Sequence, residues 1–89
     1  MKLHNVPIDV IARFRVKSPE IPDPYKFRYK DEAGNSYDVK VERIYHIKDH
    51  RFGGKRTFIY RCVSTIAGEE RMYELKYMVD ECKWLLYKM

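Results

Sequence analysis

The stretch Tyr73-Glu74-Leu75-Lys76-Tyr77-Met78-Val79-Asp80-Glu81-Cys82-Lys83-Trp84-Leu85-Leu86-Tyr87-Lys88 decides the fold class, because it supports two periodicities at once. Read at period two, Tyr73, Leu75, Tyr77 and Val79 share one face, Asp80-Glu81 makes a turn, and Lys83 to Lys88 returns as a short strand. Read as a helix, Met72, Leu75, Val79, Cys82, Leu86 and Met89 fall at steps of three and four on one stripe, with good helix formers between them. Spacing by itself favours the helix. The aromatic residues Tyr73, Tyr77, Trp84 and Tyr87 suit strands, however, and the chain upstream reads as antiparallel sheet whose open edges extra strands would protect. The hairpin is therefore the expectation, with a C-terminal helix packed on a four-stranded sheet as the alternative.

Working back from this stretch, Arg56 to Ile66 is rich in β-branched and aromatic residues and stops at Ala67-Gly68-Glu69. Lys48 to Lys55 is the longest polar, glycine-containing loop, with a hairpin turn at Gly53-Gly54-Lys55. From Ser36 to Ile47, Tyr37, Val39 and Val41 alternate, then the pattern fails at Arg43 and resumes with Ile44 on the opposite face. This predicts one strand with a bulge near Glu42 or Arg43. Ala33-Gly34-Asn35 supplies a hairpin backbone before it. Further back, Tyr25, Phe27 and Tyr29 alternate with Lys26, Arg28 and Lys30. From Ile8 to Lys17, Val10, Ala12, Phe14 and Val16 oppose Ile11, Arg13, Arg15 and Lys17. Three prolines in Pro19 to Pro24 forbid a central strand and make a stiff connection between these two.

The expected fold is thus an all-β, single domain over residues 1–89, a small antiparallel meander or barrel of five to six strands. Its expected core is Val10, Ala12, Phe14, Val16, Phe27, Val39, Val41, Ile59, Val63, Leu75, Val79, Trp84 and Leu86. With 45% apolar residues and eight Tyr, four Phe and one Trp, the chain has the composition of a folded domain. At 89 residues its core is small, which argues against a large enclosed substrate cavity. The closing segments Tyr73 to Tyr77 and Cys82 to Lys88 resemble those of small bacterial proteins of similar length that carry no assigned function. That resemblance implies a compact all-β domain and favours the hairpin; it transfers no activity.

Reactive constellations are mostly missing. Gly53-Gly54-Lys55 lacks the upstream glycine and the following Ser or Thr of a phosphate-cradling loop, and Ser18, Ser36 and Ser64 lack the glycines of a nucleophile elbow. His46, Asp49, His50, Cys62 and Cys82 are ligand types for zinc, but the two cysteines stand twenty residues apart and unpaired, so no metal is expected. Cys62 reads as core, and Cys82 beside Lys83 is the one candidate for a reactive thiol. Asp31-Glu32, Glu69-Glu70 and Asp80-Glu81 fall at turns, where acidic residues serve solvation. A non-enzymatic protein with no cofactor is the expectation. The start of the chain makes no export signal, no apolar run reaches bilayer length, and a cytoplasmic location follows from that reading.

Charge gives the sharpest positive signal. Eighteen Lys and Arg against thirteen Asp and Glu leave +5, and residues 1–30 hold seven basic and three acidic side chains. If the first two clear strands bury their apolar sides, Arg13, Arg15, Lys17, Lys26, Arg28 and Lys30 project together from the other face. Such a stripe suits phosphates, and a ring from Tyr29, Tyr37 or Tyr45 at its edge would suit bases. Nucleic-acid binding is therefore the function to test. A protein-binding module, using an aromatic surface or an open sheet edge or docking an acidic protein, is the alternative, and plain solubility accounts for the same charge.

Overall fold

The computed structural model describes residues 1–89 and contains eight strands and no helix. They are β1 (Leu3–Ile8), β2 (Val10–Arg13), β3 (Asp23–Lys30), β4 (Ser36–Lys40), β5 (Arg43–Phe52), β6 (Lys55–Ile66), β7 (Glu69–Met78) and β8 (Lys83–Lys88). A five-stranded sheet runs β1-β8-β7-β6-β5 and a three-stranded sheet runs β2-β3-β4, with every pairing antiparallel. The C-terminal hairpin is present: Tyr77 stands opposite Trp84 and Leu75 opposite Leu86. Its advantage over the helix is burial. As strand β7, the segment hides Tyr73, Leu75 and Tyr77 together, whereas the helical stripe leaves both tyrosines off the apolar face.

Four expectations are corrected. The sheets do not close into a barrel and the strands number eight, because Leu3–Ile8 forms an additional strand beside β8 and because Ser36 to Ile47 is two strands. The break in alternation at Arg43 is a change of sheet rather than a bulge: the chain leaves β4 at Lys40 and enters β5 at Arg43. The supposed loop Lys48 to Lys55 is mostly strand, paired out to Phe52 and Lys55 around a two-residue turn at Gly53-Gly54. The strand expected to run to Lys17 ends at Arg13, so Phe14 and Val16 are 63% and 97% exposed instead of core.

The apolar faces of the two sheets meet in one core. Phe27 and Val39 of the small sheet join Phe58, Tyr60, Cys62, Tyr73, Leu75 and Leu86 of the large one, and the Phe27 and Tyr73 rings lie 5.2 Å apart. Polar anchors cross the same gap. The buried Tyr60 hydroxyl donates to the Pro22 carbonyl, and Ser64 Oγ donates to the Lys40 carbonyl at 2.7 Å. Ile59 is placed differently from its expected position: it is half-buried on the outer face of the large sheet.

Candidate nucleic-acid interface

The outer face of the three-stranded sheet holds most of the expected basic residues, but many of their charges are already engaged. Arg13 and Arg15 each place Nη2 2.8 Å from the same Asp23 Oδ2, and Arg28 Nε lies 3.1 Å from Asp38 Oδ1. Lys26 and Lys30 make no ion pair, and Lys17 lies beyond β2 in the connection to β3. The six residues therefore do not form one uniform stripe. Lys40, across from Lys26 on β4, adds a cation that the sequence pattern did not single out.

An aromatic ring does reach this face, through a residue that simple alternation assigns to the core. Ile11 pairs with Lys26 but Ala12 pairs with Pro24, so Tyr25 is an extra residue on β3. This bulge reverses the pleat: Phe27 stays buried while Tyr25 turns outward. Its ring then lies 5.4 Å from the Arg13 guanidinium carbon and 5.8 Å from Lys40 Nζ. Tyr29 and Tyr37 instead stack on each other at 6.1 Å and pack against the core, and Tyr45 belongs to the other sheet. No residue of β3 alone encodes the bulge; it is set by the pairing with β2. A hollow of about 290 Å³ is lined by Ile11, Lys26, Phe27, Arg28 and Asp38.

The groups weighed for other chemistry are dispersed. His46 and His50 lie on the outer face of β5 with Lys48, whereas Asp49 takes the opposite side and binds Arg56 through both carboxylate oxygens. That double hydrogen bond holds the Asp49 carboxyl below its ordinary value. No three His, Cys, Asp or Glu side chains converge as metal ligands do. Cys62 is buried and its thiol is pushed up to about 12, chiefly by desolvation, while Cys82 is exposed; both are free. Asp31, at the β3–β4 turn, accepts the Asn35 backbone N–H at 2.8 Å, which lowers its pKa.

In comparisons with known proteins, the chain matches no family model, no curated protein and no solved structure.

Proposed function

We propose that the protein is a small non-enzymatic module that binds single-stranded nucleic acid on the outer face of β2, β3 and β4. The observation that carries this reading is Tyr25, turned out by the bulge and flanked by Arg13 and Lys40. An exposed ring among cations suits an unstacked base and its phosphates, whereas bases inside a duplex are unavailable for such stacking. The Arg28–Asp38 pair is compatible with this role, because both side chains are exposed and such a pair contributes only about 0–1 kcal/mol, so a phosphate can compete for Arg28; the Asp23 carboxylate, 15% exposed, holds Arg13 and Arg15 beside the ring. The role requires no cofactor and is consistent with a cytoplasmic protein; no helix of the chain is long and apolar enough to cross a membrane.

Fluorescence-anisotropy titration with short labelled DNA and RNA strands at two salt concentrations tests it. The expected result is affinity in the micromolar range or tighter that falls with salt, and that Lys26→Glu/Lys40→Glu and Tyr25→Leu each weaken. Absence of binding at low salt would remove the proposal. It would direct attention to a protein partner at the open edge of β5, where Tyr45 and Ile47 are exposed beside a hollow of about 560 Å³.

A further inference from the structure

The outer face of the five-stranded sheet carries a second set of cations and rings, and no layer covers it. In β5 the register slips between Ile44, opposite Cys62, and His46, opposite Arg61, which sends His46, Lys48 and His50 to the outer side. They join Thr57, Ile59 and Arg61 of β6 and Glu74, Lys76 and Met78 of β7. A second slip, between Glu74 opposite Lys88 and Leu75 opposite Leu86, makes Tyr87 an extra residue of β8 and brings Tyr87 and Lys88 onto the same side. Two adjoining hollows of about 410 and 230 Å³ share Lys48, Ile59 and Tyr87, so they form one trough across β5 to β8.

The charge of this trough is less compensated than that of the Tyr25 face. Lys48, Lys55, Lys76 and Lys88 have no carboxylate partner, and the acid among the lining residues, Glu74, is engaged by Arg61 through Nε at 3.2 Å and Nη2 at 3.1 Å. Lys76 Nζ lies 4.4 Å and Lys88 Nζ 5.1 Å from the centre of the Tyr87 ring. Phe52, 79% exposed at the tip of the β5–β6 hairpin, stacks on His50 with ring planes 9° apart. Protection of a sheet edge explains a lysine on β5, but Lys76 sits on an interior strand with no edge to guard. Half-buried Ile59 and Met78 leave apolar surface between the cations, a combination that fits flat bases as well as phosphates.

We infer that the outer face of the five-stranded sheet is itself a binding surface for single-stranded nucleic acid, with Lys48, Lys55, Lys76 and Lys88 contacting phosphates and Phe52 and Tyr87 contacting bases. It extends the nucleic-acid reading given above to a separate face and does not need the Tyr25 face in order to bind. The lysines that now rest on Tyr87 are free to move to phosphates when a base takes the ring.

The test uses fluorescein-labelled oligothymidylate of about ten nucleotides, within the span a small β domain covers. Lys48→Gln/Lys76→Gln/Lys88→Gln, shown to be folded by its thermal melt, is expected to bind at least about tenfold more weakly at low salt, and the slope of log K against log salt is expected to be shallower by about 2. Phe52→Ala, at an exposed tip, is expected to weaken binding several-fold with an unchanged melt, which keeps the test valid if the triple variant does not fold. Wild-type affinity and slope in these variants, alongside loss in Lys26→Glu/Lys40→Glu, would overturn this inference and leave the Tyr25 reading standing. Loss only in the five-stranded-sheet variants would support it and remove the Tyr25 reading, and no binding by the wild type would remove both. Equal affinity for an oligoglutamate of the same charge would overturn the assignment to nucleic acid, since charge alone would then account for the binding.

Discussion

The Ser64 hydroxyl has one proton and two lone pairs, and the structure engages all three. Lys40 offers only a carbonyl, at 2.7 Å, so the proton goes there. The Tyr73 hydroxyl, 2.6 Å away, must therefore donate to Ser64, and the Glu42 backbone N–H donates to it as well at 3.3 Å. One small side chain, fully buried in β6, thus fixes both sides of the passage from β4 to β5 and satisfies a buried phenol. Removing it strands polar groups away from water, which costs about 1–3 kcal/mol for each that finds no other partner. Ser64→Ala is expected to destabilise the protein by about 2 kcal/mol or more, lowering its melting temperature by roughly 8 °C or more. Chemical denaturation would measure this, with Thr65→Ala, an exposed neighbour, as the control expected to stay within about 0.5 kcal/mol of wild type. Tyr73→Phe should then cost less in the Ser64→Ala background than in the wild type, because the phenol has already lost its acceptor. Additive losses would count against the shared bond.

At the scale of elements, the turns show where the sequence accommodates the fold at a cost. Ile66 pairs with Glu69 around Ala67-Gly68, with φ of 52° at Ala67 and 81° at Gly68, the signs that a two-residue type I′ turn demands. Gly68 adopts this freely, whereas alanine is disfavoured there by its Cβ. Ala67→Asn is expected to stabilise the protein by about 0.5–1 kcal/mol, read as a higher denaturation midpoint at an unchanged slope. A lower midpoint would show that this turn is not what limits the hairpin. The same scale explains what was readable in advance. β6 is legible from its β-branched and aromatic residues, whereas β7 and β8 carry a helical spacing as well, and it is their aromatic residues and the sheet upstream that point to strands. β5 was half lost, because beyond Ile44 none of its side chains is buried and a solvated hairpin leaves no alternation to read. β1 was missed for a related reason: Pro7 and the positive φ of Asn5 break its pattern, and only its pairing with β8 makes it a strand. In the candidate interface the cations were visible one by one. Their ion pairs, the outward turn of Tyr25 and the trough around Tyr87 were not, since all three depend on bulges and on registers between segments distant in sequence.

Across the whole molecule, the core joining the two sheets contains four ionisable groups whose burial favours the neutral form, Tyr60, Cys62, Tyr73 and Tyr77. Burial raises the Cys62 thiol from 9.0 to about 12 and pushes the Tyr60 and Tyr73 phenols well above their ordinary 10.0. In the unfolded chain these groups lose their protons near their ordinary values, so above pH 9 the unfolded state binds fewer protons than the folded one. Their contribution to stability is therefore complete below about pH 9 and is lost as pH rises toward the folded values. The melting temperature is expected to fall steadily above pH 9. The 295 nm absorbance of Tyr60 and Tyr73 ionisation should appear only together with unfolding, not ahead of it. Cys62→Ala should make that fall shallower by up to about one proton, roughly 1.4 kcal/mol per pH unit. Near neutral pH a thiol reagent should modify exposed Cys82 in the folded protein and reach Cys62 only after denaturant is added.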